Sequence, residues 1–135
     1  MSNQQNEVPV RVRPLLQRLK SSLSLLPRPL PDHLTVIQFV LIDRATMAQV
    51  HASFLDDPTE TDVITFPYGE ILICPAVARE QAPGYGLEVD NEVLLYALHG
   101  LLHLVGYEDE TAAEAKQMAR AQMRLLKKVL EVKIR

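Results

Sequence analysis

Residues 61–74, TDVITFPYGEILIC, predict two strands, Thr61–Tyr68 and, after the Tyr68-Gly69 turn, Glu70–Cys74, which Pro75 ends. Upstream, Leu34–Ile42 (LTVIQFVLI) is nearly all apolar and rich in β-branched residues, as suits a central strand covered on both faces. Residues 7–13, EVPVRVR, alternate with period 2 and predict a further strand, placed at an edge by Pro9. Two helices fall between these strands. One runs from Pro14 to Leu26 with leucines at helical spacing and is stopped by Pro27, Pro29 and Pro31. The other is capped by Asp43 and runs to about Phe54, before a loop at Asp56, Asp57 and Pro58. Downstream, residues 81–87 (QAPGYGL) read as loop, followed by helical patterns over Glu88–Val105 and from Glu110 to about Val132. Strands near the front and two long helices at the back predict an α+β domain, one small mixed sheet with helices packed against it.

Size and composition agree. A chain of 135 residues is expected to form one domain over 1–135, with residues 1–6 as a flexible N-terminus. A hydrophobic fraction of 47% with 23% charged residues excludes a disordered or fibrous chain. The single cysteine excludes an internal disulfide and a four-cysteine zinc module. No apolar run approaches the roughly 18 residues of a membrane span, and MSNQQNEVPV lacks the pattern of a signal peptide, so no membrane association and a cytoplasmic location are expected.

A net charge of −3 argues at first against a nucleic-acid binder. The charge is unevenly placed, however. Residues 1–50 carry six basic and three acidic side chains, and residues 111–135 carry seven and two. Between them, residues 51–110 hold twelve acidic side chains and one basic one, Arg79. An acidic centre suits a cation, and basic flanks suit a polyanion.

His99 and His103 lie in that centre, four apart on the Glu88–Val105 helix, so they stack on one face with Tyr96 and Glu92 continuing it. Two imidazoles at this spacing can share one metal ion. Gly106 is placed to end the helix in a left-handed conformation and return the chain toward them. One of the carboxylates that follow, Glu108, Asp109 or Glu110, would then supply a third ligand. Two imidazoles and a carboxylate with an open fourth position favour zinc.

The run His99-Gly100-Leu101-Leu102-His103-Leu104-Val105-Gly106-Tyr107 resembles the signature of the YbeY-type family of zinc-dependent endoribonucleases, the rRNA maturation factors. Thr61-Asp62-Val63-Ile64-Thr65-Phe66-Pro67 and Gly69-Glu70-Ile71 resemble the strand motifs that precede it, in the family's order. The resemblance implies a four-stranded mixed sheet with about five helices and the metal-binding helix in the C-terminal half. It also implies one zinc per chain held by three side chains, and processing of the 3′ end of 16S rRNA during ribosome biogenesis. Ribosomal RNA, the small ribosomal subunit and assembly factors are the implied partners. The third ligand falls on Asp109, where the family pattern has a histidine, and Glu108 stands where it has aspartate. The family's arginine falls on Leu55, and His51 stands where the family tends to have asparagine.

The expected activity is therefore metal-assisted phosphodiester hydrolysis, with zinc on His99, His103 and Asp109. RNA-backbone contacts are expected from Arg120, Arg124, Lys127 and Lys128, one stripe on the last helix, and near the start from Arg11, Arg13, Arg18 and Lys20. Thr61 and Asp62 are expected to support the sheet beside the site. A homologue that binds rRNA or the small subunit without cutting is the alternative, favoured by the replaced histidine and arginine. A metalloprotease is a minor alternative. It has the right histidine spacing, but Gly100 occupies the position of its glutamate general base. Cys74 is expected to be a small buried residue, His33 a solvated cap, and Met118 and Met123 packing residues.

Overall fold

The computed structural model describes residues 1–55 and 61–132, so the loop expected at Asp56–Pro58 lies outside the described residues. Four strands form one mixed sheet: β1 (Ser2–Asn3), β2 (Gln38–Leu41), β3 (Val63–Phe66) and β4 (Glu70–Ile73). Their order is β1-β2-β4-β3, with β1 and β4 parallel to β2 and β3 antiparallel to β4. Among the described residues, five α-helices surround it: α1 (Val12–Ser22), α2 (Arg44–Leu55), α3 (Pro75–Tyr85), α4 (Val89–Leu104) and α5 (Ala112–Glu131). The α+β class, the four-stranded mixed sheet and the C-terminal position of the histidine helix agree with the expectation.

Strand alternation divides the core. Phe39, Leu41, Ile71 and Ile73 face α4 and join a cluster with α1 and α5. Val40, Ile64 and Leu72 face the other way, against Met47 of α2 and the start of α3. An interior strand covered on both sides is what the apolar run at 34–42 predicts. The hairpin turn depends on Gly69, whose φ is +105° and where a Cβ would lie 2.7 Å from the Val36 carbonyl oxygen. Only glycine combines that dihedral with that approach.

Three expectations are corrected. Residues 7–13 form no strand. The Gln5 side chain closes on the backbone of Val8, accepting from its N–H and donating to its carbonyl, which satisfies groups that a ladder would otherwise need. Pro9 has no N–H to offer a neighbour, and α1 starts at Val12. The edge strand lies instead at Ser2–Asn3, within the segment expected to be loose, opposite Val40 and Leu41. Second, residues 81–85 are helical. Pro75 at the first position opens α3, and Gly86, at φ +68°, closes it while the Leu87 N–H returns to the Ala82 carbonyl. The proline and glycines that suggested a loop are the helix's last turn and its cap. Third, Met123 is exposed on α5, whereas Met118 is buried.

The expected cap of α2 forms, and the start of α5 is capped as well. Asp43 Oδ1 accepts from the Thr46 N–H at 2.7 Å, which lowers the pKa of its carboxyl. Thr111 and Glu114 make a reciprocal capping box at the start of α5.

Candidate metal centre

Helix α4 runs through the middle of the molecule, against β3 and β4 on one side and α1, α3 and α5 on others. It packs closely on the sheet at Gly100. A Cβ there would meet Ile71 Cγ2 and Thr65 Oγ1, both at 2.9 Å. The glycine between the histidines therefore lets the helix lie on the sheet. His99 and His103, about a quarter exposed at 23% and 27%, project into an open cleft of about 730 Å³.

Past α4 the chain reverses at Gly106, φ +102°, with the Gly106 N–H on the His103 carbonyl and the Tyr107 N–H on that of Leu102. The reversal brings Asp109 Oδ2 to 3.5 Å from His99 Nε2 and 3.6 Å from His103 Nε2, while the two Nε2 atoms are 3.1 Å apart. Bonds of about 2.0–2.2 Å around a tetrahedral zinc would set its donors about 3.3–3.6 Å apart. Glu108 and Glu110 line the cleft, but the donor cluster among the described residues is His99, His103 and Asp109.

Both imidazoles are oriented from behind. His103 Nδ1 lies 3.0 Å from the Tyr107 carbonyl oxygen, which can only accept, so Nδ1 carries the proton. His99 Nδ1 likewise donates to Gln122 Oε1 of α5 at 2.7 Å. In the neutral rings each Nε2 then presents a lone pair, and the two lone pairs converge. This donor set fits a cation of zinc's type, with the outer hydrogen bonds such ligands use.

Asp62 and Thr61 border the cleft at the head of β3 and support it as expected. Asp62 Oδ1 accepts from the Val63 N–H, and its carbonyl accepts from Cys74. Leu55, at the position the resemblance gives to arginine, borders the same cleft with an apolar side chain. Cys74 is buried, and desolvation raises its thiol pKa, as befits a packing residue. The four basic residues of the α5 stripe are exposed on the face turned away from the core. Two N-terminal cations are engaged internally, Arg11 with Asp90 and Arg18 with the Val129 carbonyl.

Gln122 and Glu92 hold places that the sequence reading left without a role. Gln122 interrupts an apolar stripe of Met118, Leu125, Leu126 and Val129, and that break in pattern was its signal. Glu92, one α4 face with His99, is 0% exposed, and neither carboxylate oxygen has a hydrogen-bond partner among the described residues. Burial raises its pKa, outweighing a smaller lowering by the neighbouring Tyr96 side chain.

The sequence pattern of the family described as Endoribonuclease YbeY matches residues 1–130. The chain belongs to the YbeY endoribonuclease family. Among its relatives, the Endoribonuclease YbeY of Renibacterium salmoninarum is 38% identical over 109 residues, covering 68% of this chain and 69% of that one. The Endoribonuclease YbeY of Clavibacter sepedonicus is 34% identical over 131 residues, covering 84% of each. A solution structure of a Thermotoga maritima protein superposes with a TM-score of 0.61, at 23% identity, over 95% of this chain and 87% of that one, and so shares the fold. The family is one of metal-dependent endoribonucleases, and His99, His103 and Asp109 form a group that could hold a metal ion.

Proposed function

We propose that this protein is a zinc-dependent endoribonuclease of rRNA maturation, acting on the 3′ end of 16S rRNA in ribosome biogenesis, in the cytoplasm. The observation that carries the reading is the convergence of two Nε2 lone pairs and one carboxylate oxygen in an open cleft. His99, His103 and Asp109 would hold one zinc. When bound, zinc supplies Lewis acidity toward a phosphate oxygen and toward the water that attacks phosphorus.

The chain's own residues do the positioning. The Tyr107 carbonyl and Gln122 fix the two rings, and the α4–sheet contact at Gly100 fixes their backbone. Asp109 adds a negative charge that a histidine would not, which weakens Lewis acidity relative to a three-histidine site. Family membership supports an RNA substrate, with ribosomal RNA, the small ribosomal subunit and its assembly factors as the partners of this reading.

Gly100 speaks against peptide hydrolysis, because its position is packed under Ile71 and Thr65 and has no room for a glutamate base. A binder of rRNA that does not cut is the second reading, favoured by Leu55 in place of a cation at the cleft. Purified protein incubated with structured rRNA, with and without zinc, separates the two. Cleavage that requires zinc and disappears in His103→Ala supports the enzyme. Salt-sensitive binding without cleavage supports the binder.

A further inference from the structure

The cleft has a charge problem. Its described walls carry four carboxylates, Asp62, Glu108, Asp109 and Glu110, and neither lysine nor arginine. The sequence between Leu55 and Thr61, DDPTE, contains no basic residue either. A polyanion entering such a cleft meets like charge, which one divalent ion only partly offsets. Outside the proposed metal ligands, the one imidazole on its described walls is that of His33, whose ring N–H can donate a hydrogen bond to a phosphate oxygen.

His33 belongs to a loop that also brings a guanidinium to the turn after α4. Residues 27–33, PRPLPDH, follow the turn after α1 and lead toward β2. Arg28 lies over the ring of Tyr107, 4.0 Å from its centroid, and Tyr107 is the residue whose carbonyl orients His103. Both Arg28 and His33 are exposed. Three prolines limit the backbone freedom of this loop, and the Leu34 N–H closes a turn on the Pro31 carbonyl at 3.0 Å. Its far end is pinned where the Leu34 side chain packs beside Gly69. Donors on a backbone restrained in advance lose less entropy when they bind.

Resting on the reading of the cleft as an RNA site, we infer that the proline-rich loop 27–33 is its phosphate-holding wall. His33 contacts an RNA phosphate inside the cleft, and Arg28 contacts a neighbouring phosphate beside Tyr107. The loop thereby supplies the backbone contacts closest to the metal centre, in place of a cation at Leu55. The α5 stripe faces away from the core and would contribute contacts farther out.

The test is binding of a fluorescent single-stranded oligoribonucleotide to the zinc-loaded full chain, followed by anisotropy across a salt series. His33→Ala and Arg28→Ala should each weaken binding about two- to tenfold, the worth of a typical hydrogen bond. Arg28→Ala should also flatten the dependence of log K on log salt by about 0.7, the share of one phosphate contact on a single strand. Arg28→Lys should keep that slope, and zinc content should stay at the wild-type level in every variant. Unchanged affinity and slope in the double variant, with affinity lost in Arg124→Ala/Lys128→Ala, would overturn the inference, as would wild-type protein that does not bind the oligonucleotide. Wild-type protein that binds without cutting refutes hydrolysis alone and leaves the loop variants to decide this point.

Discussion

Gln122 of α5 accepts a hydrogen bond from His99 Nδ1 of α4 at 2.7 Å, so the last helix of the chain orients a side chain of the donor cluster. The contact also sets the tautomer, since a ring that donates from Nδ1 offers its Nε2 lone pair to a metal. Gln122→Ala should therefore lower zinc affinity by about 10- to 100-fold, the usual effect of losing such an outer hydrogen bond. Gln122→Glu, which still accepts, should remain near wild type. Competition against a chromophoric chelator measures both. Equal affinities for wild type and Gln122→Ala would remove Gln122 from the site.

Asp109 decides the composition of the donor set. Wild-type protein should carry about one zinc per chain, Asp109→Ala less, and Asp109→His as much or a more tightly held ion, because a third imidazole is also a zinc ligand. Metal analysis of the three purified proteins gives the answer. Zinc content unaltered in Asp109→Ala would reassign the third position to Glu108, Glu110 or water.

The parts of this site visible in the sequence are those set by local geometry. Two histidines four apart share a helical face wherever the helix goes, and Gly106 at its end marks the reversal that delivers Asp109. The hairpin around Gly69 was legible for the same reason. What sequence could not show depends on segments distant along the chain. His33 enters the cleft only because the loop after α1 lies over the end of α4. Alternation at residues 7–13 suggested a strand, yet the Gln5 side chain takes the backbone bonds at Val8. At residues 81–87, proline and glycine are loop signals taken locally, but Pro75 opens a helix long enough to reach Gly86.

Gly100 is required by contact with the sheet, and not by its dihedral angles. A methyl at this position meets Ile71 Cδ1 at 2.8 Å and Thr65 Oγ1 at 2.9 Å. Gly100→Ala should destabilise the protein by about 1–3 kcal/mol, the usual range for overpacking a close contact. Chemical denaturation with a shared m-value measures it. A variant as stable as wild type would mean that α4 can rise off the sheet without loss.

Glu92 makes stability depend on pH in a direction opposite to that of a salt-bridged carboxylate. Burial raises its folded-state pKa above the value of about 4.5 in the unfolded chain. Below that unfolded value both states are protonated and the group's contribution is fully present. As pH rises, the unfolded chain releases this proton first, and the contribution declines until the pH has passed the folded pKa. Glu92→Gln cannot ionise, so relative to wild type it should gain stability as pH rises above about 4.5, with no change in the difference below that value. Denaturant midpoints for both proteins, measured in chelator across this range, isolate the effect from metal binding. A stability difference independent of pH would mean that the folded and unfolded states bind the Glu92 proton equally, and that burial does not raise its pKa.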